Sequence, residues 1–174
     1  MRIKYNETAV GYDELYRDEQ YEKYRRVLEN APNVLKQEVL CDIGCGTALL
    51  LEYLAAKGVP PSRYVCLDLS PGMLGQAKRR IGTLRLSHLA DIIEADAEYI
   101  PLRRCSCRAA VSFTVIDLVE DPKRMLEECN RIASTCIISS LKKAQRGKPR
   151  IPRIGPLLAE TQHDTIHIRR GNCS

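Results

Sequence analysis

Short apolar runs, separated by breaks at glycine and proline, alternate along this chain between two spacings. Glu38-Val39-Leu40-Cys41-Asp42 is a run of strand length that ends at Gly44. Leu49, Leu50, Leu51, Leu54 and Ala55 follow at helical spacing and stop at Gly58, which suits a C-cap. Residues 63–69, 90–95, 109–115 and 135–141 read as four further strands. Ser70-Pro71 and Asp121-Pro122 each pair a capping side chain with proline in the first helical turn, so each opens a helix. Upstream, Asn6 and Asp18 can cap two helices. Tyr21, Tyr24, Val27 and Leu28 make residues 19–29 amphipathic, and Ala31-Pro32-Asn33 ends that pattern. After a connector rich in Pro, Gly and Arg, residues 156–162 predict a short helix and residues 165–169 a last strand. Alternating strands and helices predict an α/β fold. Its mostly parallel sheet should have six to seven strands, helices on both faces, and ligands at the carboxyl ends of the strands.

Composition and charge narrow this picture. The length of 174 residues predicts one domain over 1–174, with an N-terminal helical cap at 1–30 and a basic segment at 142–174. No apolar run nears the roughly 20 residues of a membrane span. The start is polar, unlike a signal peptide, so the chain is expected to be cytoplasmic, with no membrane partner. The net charge of +5 is unevenly spread: residues 141–174 hold eight Lys/Arg against two acids, leaving 19 basic and 20 acidic side chains elsewhere. A basic tail either meets nucleic-acid phosphates or is a solvated surface. The eight cysteines have no Cys-x2-Cys pair, so no metal is expected. Cys41, Cys66 and Cys136 fall in predicted strands, either as small apolar thiols or as disulfide partners. His163 and His167, four apart, are a metal pair or simply exposed.

The residues with chemistry to offer come just after the strands. In Asp42-Ile43-Gly44-Cys45-Gly46-Thr47-Ala48, two glycines let the backbone turn tightly and approach a ligand. A dinucleotide loop wants a third glycine at position 49, where Leu49 stands, and no Lys or Arg flanks the loop to balance phosphates. A nicotinamide or flavin dinucleotide is therefore disfavoured. Asp42 puts a carboxylate there instead, which suits an ammonium or a sulfonium. Asp68, 24 residues after Gly44, ends its strand where an acid can accept both hydroxyls of a ribose. Asp96 stands where an acceptor could meet an adenine amino group, although loop acids are common.

Taken in order, the glycine loop, Leu67-Asp68-Leu69-Ser70-Pro71-Gly72-Met73-Leu74 and Asp96-Ala97-Glu98-Tyr99-Ile100-Pro101-Leu102 resemble the motifs of class I S-adenosylmethionine (SAM)-dependent methyltransferases. The nearest branch is similar to the ubiquinone/menaquinone-biosynthesis enzymes and related tRNA methyltransferases, and Tyr5-Asn6-Glu7-Thr8-Ala9-Val10-Gly11-Tyr12-Asp13 resembles its opening helix. The resemblance covers about residues 5–140. It implies a Rossmann-like class I methyltransferase fold, SAM as cofactor and methyl transfer as the reaction. Gly44, Cys45 and Gly46 would then pass under the methionine part, with Asp42 near its ammonium group. Asp68 would hold the ribose, Leu69 and Met73 would flank the adenine, and Asp96 and Ala97 would meet its edge. Phe113 and Thr114 would line the methyl-transfer side. Tyr5, Tyr12 and Tyr16 would close over the cofactor or pack as ordinary helix residues. Asp117, Glu120 and the Tyr12 hydroxyl are the candidate bases, with Asp117 and Tyr12 taken as the catalytic pair.

The sequence also departs from some members. Ser112-Phe113-Thr114-Val115-Ile116-Asp117 stands where amino-methylating enzymes carry Asn-Pro-Pro-Tyr, which counts against adenine-N6 and glutamine-amide transfer. No Cys-Pro occurs there to support cytosine-C5 chemistry. About 33 residues follow the fifth strand, which leaves little for an acceptor pocket. RNA, tRNA above all, is the first acceptor expected, through the basic 142–153 segment. A quinone-like or other small molecule is the second, and a SAM-binding subunit without its own activity is the alternative to an enzyme. In some related tRNA methyltransferases a small zinc-binding activator pairs with an edge strand; residues 90–95, with Ile92-Ile93, would be that edge.

Overall fold

The computed structural model describes residues 11–143 and 150–173. Along the chain run α1 (Tyr12–Asn30), α2 (Pro32–Leu35), β1 (Val39–Ile43), α3 (Leu49–Ala56), β2 (Arg63–Asp68), α4 (Pro71–Thr83) and β3 (Ala90–Glu94). β4 (Cys107–Phe113), α5 (Pro122–Ile132), β5 (Ala133–Leu141), β6 (Leu157–Glu160) and β7 (Asp164–Arg170) complete the order. One sheet holds all seven strands in the order β3-β2-β1-β4-β5-β7-β6. β1 to β5 are parallel, and β7 runs antiparallel to both β5 and β6. The chain steps outward from β1 through β2 to β3, then returns to β4 on the other side of β1. The carboxyl ends of β1 and β4 therefore flank the point where the connections diverge, which leaves a crevice.

Strand alternation sends neighbouring side chains to opposite faces. Leu40, Cys66, Val111 and Ile137 pack with Leu50, Leu54, Leu74 and Ala77 of α3 and α4. Cys41, Val65, Ala110 and Ile138 pack on the other face with Met125, Cys129 and Ile132 of α5. Helices thus cover both faces, as the apolar pattern predicts. The caps form at the expected places: Ser70 Oγ accepts from Met73 N, and the Asp121 carboxylate accepts from Lys123 N and Arg124 N.

Three expectations change. Tyr12–Asn30 is one continuous helix, with Asp18 in its interior rather than at a cap; Asn6 lies outside the described residues. Residues 156–162 form β6 and a turn, not a helix. Thr161 Oγ1 accepts from His163 N and Asp164 N at that turn, and β7 pairs with Leu157–Glu160. Ladder pairing outweighs the helix preference of Leu, Ala and Glu there. β4 stops at Phe113, two residues early, because Thr114 takes a left-handed conformation (φ +62°). Cys41 is disulfide-bonded to Cys107 and Cys105 to Cys173, whereas Cys45, Cys66, Cys129 and Cys136 are buried thiols. No described helix is long and apolar enough to cross a membrane.

Candidate functional site

The loop after β1 is built from backbone constraints. Gly44 N and Cys45 N both donate to Leu67 O, which ties the loop to β2. Gly44 has φ +72°, and a Cβ there would sit 2.2 Å from a Val115 methyl, so only glycine fits. Gly46 also has positive φ, and its N–H donates to Asp68 Oδ2 at 2.9 Å. Beneath the loop lies a recess of about 30 Å³, lined by Gln20, Tyr24, Asp42, Cys45, Leu49 and Phe113, among others. Asp42 accepts the Tyr64 hydroxyl, and burial pushes its carboxyl up to about 7. Gln20 is 5% exposed, and its Oε1 has no hydrogen-bond partner in the structure. A buried acceptor without a donor costs about 1–3 kcal/mol, so this atom is suited to a ligand's N–H.

Beside the loop, at the carboxyl ends of β1, β2 and β4, opens a cavity of about 660 Å³. Gly44, Gly46, Asp68, Leu69, Met73, Asp96, Ala97 and Phe113 all line it; Asp42 and Cys45 line the recess behind. Asp68 receives backbone N–H groups from Gly46 on Oδ2, from Ser70 on Oδ1 and a further one from Leu69, and it still lines the cavity. Burial still raises its pKa. Asp96 Oδ1 accepts from Glu98 N. Glu98 accepts from Glu120 N and Asp121 N, so it anchors the start of α5 while facing the cavity.

The candidate bases fare differently. Asp117 is 6% exposed and does not line the cavity; it accepts from Ser140 Oγ and Leu141 N and joins the segment after β4 to the end of β5. Burial raises its pKa as well. Glu120 and Tyr16 do line the cavity. The side chains of Tyr5 and Tyr12 lie outside the described set. The His167 ring nitrogens lie 3.1 Å from Gly155 O and from Thr165 Oγ1, and no metal-binding cluster of three or more His, Cys, Asp or Glu occurs among the described residues.

Sequence reasoning missed Glu19, Gln20 and Lys23. They stand on α1 with Tyr16 at helical spacing, a polar stripe on a helix otherwise read from its apolar residues. Lys23 is completely buried. Its Nζ lies 2.8 Å from Glu19, 2.6 Å from Thr114 Oγ1 and 3.0 Å from Asp164 at the start of β7. Thr114 N in turn donates to Ser139 Oγ. This network holds the strained Thr114 in place, a conformation that costs about 1–3 kcal/mol. It joins α1, the segment after β4 and the β6–β7 hairpin.

Residues 41–135 match the family model described as a methyltransferase domain. Over 129 residues the chain is 30% identical to a malonyl-[acyl-carrier protein] O-methyltransferase of Marinomonas sp., covering 74% of this chain and 46% of that protein. The chain spans less than half the length of the curated relatives it matches first. Magnesium protoporphyrin IX methyltransferase of Synechocystis, solved with bound SAM, has the same fold: TM-score 0.73 at 16% identity, over 98% of this chain and 95% of that one. A Haloferax volcanii methyltransferase in complex with an activator shares the fold at TM-score 0.61 and 21% identity, over 78% of this chain and 59% of that one.

Proposed function

Since the chain belongs to the class I SAM-dependent methyltransferases, we propose that it moves the methyl group of SAM to a small acceptor held in the cavity. One observation carries this reading: eight of the ten candidate cofactor residues line one cavity, and the other two line the recess joined to it through Gln20, Gly44, Gly46 and Phe113. The residues fit the cofactor. Gln20 Oε1 is a buried acceptor awaiting a donor, and the backbone at Gly44 has no room for a side chain. SAM would supply a methyl group on a sulfonium, a good leaving group.

What the protein does is bind and align. Gln20 and Asp42 receive the ammonium group in the recess. Asp68, oriented by the N–H groups of Gly46, Leu69 and Ser70, accepts the ribose hydroxyls. Leu69 and Met73 flank the adenine, and Asp96 and Ala97 meet its edge. Phe113, Thr114, Val115 and Leu118 shape the wall beyond, where an acceptor can be held in line with the methyl and shielded from water. Asp117 is a brace, and Glu120 is the candidate base that faces the cavity.

An RNA acceptor is a second reading. It rests on the basic 142–153 segment, of which residues 144–149 lie outside the described set, while Lys142 pairs with Glu160 at 2.9 Å. A partner at residues 90–95 is supported by the position of β3 as an edge strand of the sheet. The test is methyl-labelled SAM incubated with cell extract and the purified protein, then split into small-molecule, RNA and protein fractions. Label in the small molecules is expected. Label confined to RNA replaces the first reading with the second, and no incorporation despite SAM binding leaves a binding subunit.

A further inference from the structure

Glu19, Gln20 and Thr114 line the cavity where α1 meets the segment after β4. Behind them, Lys23 binds both Glu19 and Asp164, so two carboxylates share one ammonium. Lys23 and Asp164 are fully buried and Glu19 is 30% exposed, so solvent screens this group weakly. Its net charge is −1. Among the described residues, no Lys, Arg or His lines the cavity. Of the other wall carboxylates, Asp68, Asp96 and Glu98 already receive backbone N–H groups, and Glu120 stands on the segment between β4 and α5, away from α1. Such a wall repels an anionic acceptor and favours one on which positive charge appears.

We propose that the acceptor is an amine, and that Glu19 is the carboxylate that receives its N–H as the methyl arrives. This rests on the SAM-dependent transfer argued above. The ammonium form of the acceptor first loses a proton to solvent; the freed lone pair of the nitrogen then forms the new C–N bond while the C–S bond breaks and its electron pair stays on sulfur. Sulfur becomes a neutral thioether and nitrogen becomes a substituted ammonium. The positive charge has thus moved toward the acceptor end, where Glu19 takes a charge-assisted hydrogen bond from the nitrogen. A fixed carboxylate aimed at charge that develops during the reaction is worth more than one aimed at charge already present. A carboxylate acceptor would instead crowd a second anion against Glu19 and finish as a neutral ester.

The test uses calorimetry on the protein saturated with S-adenosylhomocysteine, with octylamine, octanol and octanoate as probes of equal chain length. Octylamine is expected to bind at least about tenfold more tightly than either of the others. Glu19→Gln should cut that preference to below about threefold while leaving S-adenosylhomocysteine affinity unchanged. Equal affinities, undetectable octylamine binding, or a preference that survives Glu19→Gln overturns the proposal. Failure to bind S-adenosylhomocysteine strikes the underlying reading instead.

Discussion

At the scale of single residues, two carboxylates of the site do different work. Asp68 is held by backbone N–H groups and lines the cavity, and in the proposed site its loss would remove charge-assisted bonds to a ribose. Asp68→Ala should weaken SAM binding by at least about tenfold, and unchanged calorimetric affinity would remove it from the site. Asp42 is buried against Tyr64 and titrates near 7, above the roughly 3.9 of an unfolded aspartate. Between about pH 4 and pH 7 the folded protein therefore holds a proton that the unfolded chain has lost. This group makes stability fall as pH rises across that window, and its contribution levels off above 7. Asp42→Asn should flatten that part of the profile in denaturant unfolding followed from pH 4 to 8. Both acids were legible in the sequence because each follows a strand in a motif. The raised pKa of Asp42 was not, because it depends on burial that only the folded sheet provides.

At the scale of elements, α1 supplies one wall of the cavity and its recess. Arg80 of α4 pairs with Asp13 of α1 and with Glu52 of α3, and also donates to Thr47 O in the glycine loop. Thr47 donates to Asp13, and Tyr21 to Glu52. One guanidinium thus binds three helices to the loop. Arg80→Ala should cost about 1–3 kcal/mol and expose α1 to hydrogen exchange before the rest of the molecule. Uniform exchange would mean that α1 is held by its apolar face alone. No periodicity announces this contact, since Asp13 and Arg80 are 67 residues apart. The hairpin of β6 and β7 teaches the same point in reverse. Leu157–Glu160 has helix-forming residues, yet its conformation is set by the strand beside it.

At the scale of the whole molecule, two disulfides close long loops. Cys41–Cys107 joins β1 to β4 over a separation of 66 residues, and Cys105–Cys173 ties the approach to β4 to the end of the described chain over 68. Replacing Cys105 and Cys173 with serine should lower unfolding free energy by about 2–4 kcal/mol, and addition of a reductant should then change it further only through Cys41–Cys107. Equal stability of the variant and the oxidised protein would mean that the second bridge contributes nothing. The sequence alone determined the alternation of strands and helices, the caps at Ser70 and Asp121, and the motif acids and glycines that line the cavity and its recess. These are local features: each is written within a few neighbouring residues and follows from backbone geometry. Tertiary structure alone decided that Asp117 braces β5, that Leu157–Glu160 is a strand, and that Glu19, Lys23, Thr114 and Asp164 meet. Those outcomes depend on which distant segments share a buried volume, where a charge must find its partner wherever the fold brings one, and local spacing carries no record of that.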